Sequence, residues 1–453
     1  MNAGALTAET DVVIIGAGLS GLTAARRLVG LGVKRITIVE ARDRLGGRIK
    51  RAARADGRVL DAGAELVTST MPTVNRLIDE FGLERVESRF DGKLVRFAGE
   101  RRFVEAQPFE LDPDGAAARA VAFGMVDDLA LQVPVEAPWN APHAAELDSR
   151  TLQTWIDENV DDPTIAASLG SAYTFCGTTP SELSLLYALW YTHASGGFEA
   201  MSGAPAHGLK DGFYELINRL AVGLEIVLEA PVRAVHHRDD AVTVVTDRGN
   251  VTGRVLIAAI SPQLCARIQW EPALPPIRDR LQDRYLQGHG LKMVARYDEP
   301  WWRREGYAGL GLGLVPIGLM VDSTRPDDVD GTLTGHLAVT AEIAARFSDD
   351  LADEQAAERL FRRTVDEYFA TRAPAPAEFH YFNWLGDPWS SGCAVGLPPG
   401  VLSTVGPALR SSVGTIVWAG AETGTSHIDQ MEGAASAGER AADEARSLLD
   451  RLK

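Results

Sequence analysis

Three stretches of this chain hold residue types at spacings that can do chemistry. The first is Gly16-Ala-Gly18-Leu-Ser20-Gly21. In such a pattern Gly16 permits a tight turn, Gly18 lets the backbone approach a pyrophosphate, and Gly21 allows close helix–strand packing. Glu40 follows at a separation where a carboxylate can accept hydrogen bonds from adenosine ribose hydroxyls, roughly 20 residues on. The chain then continues Glu40-Ala41-Arg42-Asp-Arg-Leu-Gly46-Gly47-Arg48. Gly46 and Gly47 can bring backbone N–H groups to a second side of a pyrophosphate, and Arg48 can neutralise it. A nicotinamide site has no need of that continuation.

The second stretch is Gly420-Ala421-Glu422-Thr-Gly-Thr-Ser426, followed by Met431-Glu-Gly-Ala. A small-residue turn at a helix start lets backbone amides approach a phosphate or an electron-rich ring. The third is Gly288-His-Gly-Leu-Lys292-Met-Val-Ala-Arg-Tyr297, an apolar strand pattern interrupted by a lysine whose burial would be costly.

Positioning these residues requires a particular set of elements. Val12–Ile15 is a short β-branched run suited to a strand buried on both faces, and 22–28 has helical spacing. Arg35–Val39 reads as a second strand ending on Glu40, so the glycine pattern sits in its full strand–turn–helix–strand setting. Further strands are expected at 224–228, 242–246, 255–260, 288–297 and 415–419, and helices at 183–191, 353–370 and from Met431 toward Leu448. The Ala373-Pro-Ala-Pro-Ala377 stretch reads as a rigid turn between a helix and a strand.

Composition excludes several classes. The 453 residues carry 62 acidic against 45 basic side chains, a formal charge of −17. That balance argues against nucleic acid, whose phosphates need a basic footprint, and against anionic lipid. Three widely spaced cysteines form no disulfide framework. Met1–Thr10 lacks the basic and apolar regions of a secretory leader, and no run approaches a membrane span. These features lead us to expect a cytoplasmic enzyme, without a metal cluster or a Ser/His/Asp triad. The histidines at 193, 207, 236, 237, 289 and 427 are assigned no role.

The acid-Ala-Arg-x-Arg-x-Gly-Gly-Arg run and the G-x-E-T…M-E-G-A segment together resemble the flavin amine oxidase family. The resemblance implies a mixed α/β, two-domain fold: a discontinuous Rossmann-like FAD domain (1–82, 206–287, 386–453) and a sheet-plus-helices substrate domain (83–205, 288–385). It places FAD against Gly16, Gly18, Ser20, Gly21, Glu40, Ala41, Arg42, Gly46, Gly47, Arg48, Ala64, Glu65, Val232, Trp384, Cys393, Gly420, Ala421, Glu422, Gln430 and Met431. It identifies Lys292 with the lysine that holds a water beside the flavin, with Trp384 as its neighbour, and marks both as catalytic. Cys393 corresponds to the cysteine that carries a covalent flavin in some members.

Departures from the family pattern bear on the substrate. Ala394 and Gln430 stand where monoamine oxidases have a pair of cage tyrosines, and Leu66 replaces a tyrosine of the cavity. The resemblance therefore implies a less aromatic, more polar pocket, with Leu66, Tyr173, Phe175, Ala394 and Gln430 as its candidate lining. Asp429 and Glu65 are further candidates for a polar contact. The implied reaction takes hydride from the carbon next to an amine nitrogen, giving an imine and hydrogen peroxide. A small amine and dioxygen are the expected partners, with self-association as a homodimer allowed for. The alternatives are an L-amino-acid oxidase, a desaturase forming C=C bonds, or an FAD-binding protein without turnover.

Overall fold

The computed structural model describes residues 6–87, 91–106, 113–203, 206–285 and 287–452. Its fold is mixed α/β, as the motifs imply. Val12–Ile15 is buried throughout, and it lies at the centre of a five-stranded parallel sheet. The order is Glu225–Val227, Ile36–Val39, Val12–Ile15, Val255–Ala258, Ile416–Trp418, with every pairing parallel. Short β-branched runs suit such a sheet because both faces are covered. One covering pair is the helices Leu19–Gly30 and Met431–Arg451, from opposite ends of the chain. They approach closely because residue 438 is glycine: a Cβ there would lie 2.3 Å from the Ser20 carbonyl oxygen.

A larger, eight-stranded sheet carries Lys292. Gln287–Tyr297 lies between Glu378–Asn383 and Gly331–Val339, followed outward by Leu319–Asp322, Tyr307–Leu312, Lys93–Ala98 and Arg101–Glu105; Ala394–Val395 pairs with its start. Side chains alternate along a strand. Leu291, Met293, Ala295 and Tyr297 therefore enter an apolar core shared with Leu360, Phe361 and Val365 of the helix Glu354–Phe369. Lys292 takes the other face, where its cross-strand neighbours are His336 and Phe382.

Most sequence-expected elements differ from the observed ones by one or two residues, for local reasons. The helix expected at 183–191 starts at Leu185, because Ser184 caps it by accepting a hydrogen bond from the Tyr187 N–H at 3.3 Å, and continues to Ala194. Asp353 caps Glu354–Phe369 in the same way through the Ala356 N–H. The strand expected to reach Ile260 ends at Ala258. Among the described residues no helix is long and apolar enough to cross a membrane.

Candidate active site

The glycine turn is shaped by steric necessity. Gly16 has φ +98°, and a Cβ on Gly21 would lie 2.0 Å from the Gly16 carbonyl oxygen. The second glycine pair folds against the first. Gly46 N–H donates to the Ala17 carbonyl at 2.9 Å, and a Cβ on Gly47 would lie 3.3 Å from Gly18 Cα. Two bare backbone turns thus face each other with no side chain between them. Glu40 is buried at the end of its strand and accepts hydrogen bonds from the N–H groups of Ala17 (2.8 Å) and Arg42 (2.9 Å). Arg42 donates to Asp387 and Ser390, at 2.8 and 2.7 Å, while its buried Nε has no partner. Ala41 and Arg42 line a cavity of about 600 Å³ with Pro231, Arg233 and Trp389; Val232 begins the strand beside it. Small backbone, a ribose-type acid and guanidinium donors make up a set that fits a dinucleotide such as FAD.

The distant C-terminal segment joins this turn through Arg48. Its guanidinium reaches Glu422 and Asp429, both at 2.7 Å, and the Cys393 carbonyl at 3.1 Å. The expected role of Arg48 toward a pyrophosphate is thus accompanied by two buried carboxylates. Burial pushes the Asp429 carboxyl upward; Arg48 pulls it down and Glu422 pushes it up again. Asp429 itself has φ +65°, in the left-handed region. Gly420 N–H donates to Ser20 Oγ at 3.0 Å, which ties the two glycine-rich turns together. Ala421 and Met431 are buried, and Gln430 precedes the Met431 helix with its Nε2 donating to the Tyr191 hydroxyl at 2.9 Å.

Lys292 is only 3% exposed and its ammonium has three acceptors. These are Glu65 Oε2 at 3.0 Å, the Gly63 carbonyl at 3.0 Å and the Asp61 carbonyl. The second Glu65 oxygen meets His336 Nε2 at 2.9 Å. Burial opposes the charge on Glu65, but Lys292 and His336 outweigh it and hold the carboxyl at about 2. The neighbouring Asp61 carboxyl is pushed up to about 6 by burial, with Lys292 opposing and Glu65 adding to the rise.

Trp384 packs on the same segment: its Nε1 donates to the Ala62 carbonyl at 3.1 Å, and a Cβ on Gly63 would meet its ring at 3.1 Å. Cys393 Sγ lies against Gly290, where a Cβ would come within 2.0 Å of it. Burial pushes the Cys393 thiol up to about 11, Asp429 adding and Arg48 opposing. Ala394 pairs with Gly288 at the start of the Lys292 strand.

Other candidates are placed differently. Tyr173 is fully buried among the helices, its hydroxyl bonded to Thr192 at 2.6 Å. Leu66 and Ala64 are half-buried beside Glu65. The Phe175 side chain lies outside the described residues. His336 and Asp61 are the site residues missed in the sequence. The only signal for His336 was strand alternation plus register, and register with residue 292 is invisible before folding. His427, assigned no role, is buried with φ +42°, and its ring nitrogens meet Thr70 and Ser426, each at 2.9 Å.

Comparison with known proteins places this geometry among related ones. A family model described as flavin containing amine oxidoreductase matches residues 19–446. The chain is 32% identical over 462 residues to amine oxidase [flavin-containing] A from Sus scrofa, covering 98% of this chain and 86% of the relative. Cyclohexylamine oxidase from Brevibacterium oxydans IH-35A superimposes with TM-score 0.88 at 30% identity, over 98% of this chain and all of that one. A putrescine oxidase redesigned in its cofactor binding superimposes with TM-score 0.91 at 26% identity, with the same coverages.

Proposed function

The chain belongs to the flavin-containing amine oxidoreductases, and from that premise we propose how its own residues divide the work. It is an FAD-dependent oxidase of small amines. Bound FAD supplies the ring that takes hydride from the carbon beside the amine nitrogen and passes the electron pair to dioxygen, giving hydrogen peroxide. The backbone at Gly16, Gly18, Gly46 and Gly47 receives the pyrophosphate and Glu40 the ribose, with Arg42 and Arg48, each paired to carboxylates of the chain, as further donors beside them. Ala421, Gln430 and Met431 serve the ring end, with Trp384 and Lys292 closing the site from the large sheet.

One observation carries this reading. Arg48, Cys393, Glu422 and Asp429, far apart in sequence, meet within hydrogen-bonding distance beside the glycine turn. A site assembled from both chain ends also supports the interleaved division proposed here: 1–82, 206–287 and 386–453 for FAD, 83–205 and 288–385 for substrate.

The substrate proposed is a small amine of polar or aliphatic character. Gln430 and Ala394 offer no aromatic cage, and Gln430 is hydrogen-bonded to Tyr191. Glu65 and Asp429, the other polar candidates, are engaged by Lys292 and Arg48 and so are not free to anchor a ligand. The three cysteines are all unpaired, which supports a reducing, cytoplasmic compartment. The test is anaerobic bleaching of the bound flavin with a panel of monoamines, diamines, N-heterocycles and amino acids. Bleaching by amines, followed by peroxide release on admitting oxygen, is expected; bleaching by amino acids alone overturns the substrate reading.

A further inference from the structure

A lysine at the reaction centre poses an electrostatic problem for an enzyme of amines. Aliphatic amines, like the lysine side chain itself, are mostly cationic at neutral pH, with pKa values near about 10. A fixed, buried ammonium therefore repels the form of substrate that is abundant. The structure gives Lys292 a partner for this charge. Glu65 Oε2 lies 3.0 Å from Nζ, with both side chains buried, 3% and 11% exposed. Glu65 Oε1 is held by His336 at 2.9 Å, so the carboxylate cannot swing away from Lys292 without losing its second partner. Asp61, in the same segment, has its carboxylate 4.0 Å from Arg325, and the two offset one another when ionised.

We infer that Glu65 is a specificity-determining counter-ion: it cancels the charge of Lys292, so that a cationic amine can approach the flavin. This role rests on the reading that places Lys292 at the flavin. Glu65 acts on the approaching substrate by removing repulsion, and it takes no part in moving hydride. It is a positioning residue as well, since its carboxylate and the Asp61 and Gly63 carbonyls together occupy the three N–H groups of Lys292.

The experiment uses two probes of opposite charge on the FAD-loaded enzyme. Sulfite is an anion that binds reversibly at the electron-poor flavin ring and bleaches it; the second probe is a bleaching amine, titrated anaerobically. Substituting Glu65→Gln uncovers one positive charge, which at several ångströms and an effective dielectric near 20 is worth tenfold or more in affinity, roughly. Sulfite should bind tighter by about that factor and the amine more weakly. Damage to the site would weaken both probes. Lys292→Met should shift both in the reverse direction. If Glu65→Gln does not retain FAD, the comparison is Lys292→Met against the Lys292→Met/Glu65→Gln pair, and the pair should bind sulfite tighter by the same factor. Unchanged or weaker sulfite binding on loss of Glu65, with Lys292→Met still shifting it, overturns the counter-ion role. No shift in any variant overturns the placement of Lys292 at the flavin as well.

Discussion

Replacing Lys292 by methionine should destabilise the FAD-free protein, by an amount the structure sets. The substitution keeps the bulk of the stem but leaves Glu65 buried with His336 as its sole hydrogen-bonding partner, and strips the Asp61 and Gly63 carbonyls of a donor. Removing one partner of a buried pair costs about 3–5 kcal/mol. The Glu65 carboxyl points the same way. Its fall from the model-peptide value to about 2 corresponds to a contribution on the order of 3 kcal/mol. Because this folded-state value is depressed, the contribution is present above the unfolded value near 4.5 and disappears as pH falls through about 2. In Lys292→Met, burial of Glu65 is opposed by His336 alone, so its carboxyl rises from that depressed value and the variant loses less stability on acidification than the parent does. Adding Glu65→Gln removes the stranded charge and should restore much of the loss at neutral pH. Urea unfolding followed by tryptophan fluorescence, at neutral pH and near about pH 4.5, measures all of this. A Lys292→Met cost below about 1 kcal/mol, or single-variant costs that simply add in the double variant, would refute the reasoning.

Three further outcomes are expected. Glu40→Ala removes the acceptor for the Ala17 and Arg42 N–H groups and should weaken FAD retention about tenfold or more, read by gel filtration and the yellow colour of the protein fraction. Gly290→Ala drives a Cβ into Cys393 Sγ and should cost roughly 1–3 kcal/mol of stability, partly recovered in Gly290→Ala/Cys393→Ala; absence of recovery would show that the thiol is not what the new methyl meets. Because the Cys393 thiol is raised to about 11, its alkylation in FAD-free protein should be slow at neutral pH and accelerate as pH approaches that value, followed by mass spectrometry; if FAD is instead bonded there, colour stays with acid-precipitated protein.

Local pattern was enough to read the cofactor half of the site. Gly16, Gly21 and Glu40 occupy short-range geometry: a turn, a helix start and a strand end lie within one βαβ unit, so spacing alone predicts their relation. The strand around Lys292 was legible too, as an apolar run through Leu291, Met293, Val294 and Ala295 interrupted by a single lysine. Likewise the helix Glu354–Phe369 was expected to within one residue at each end. Elements whose ends depend on a cap, such as Leu185–Ala194, shifted once the Ser184 side chain found its N–H group.

What lay beyond sequence was partnership across the chain. Glu65, read as a candidate contact for cofactor or substrate, is paired with Lys292 and His336 because the sheet register sets residues 292 and 336 opposite one another and lays the 61–65 segment over them. Arg48 carries a cofactor motif, yet the fold surrounds it with Glu422 and Asp429 from the C-terminal segment. The physical reason is the same in both places. Residue type and spacing determine which backbone conformations are permitted, and hence the turns that can hold a dinucleotide. The charge a buried group feels depends on neighbours brought within a few ångströms by long-range packing, and that was decided only when the chain closed on itself.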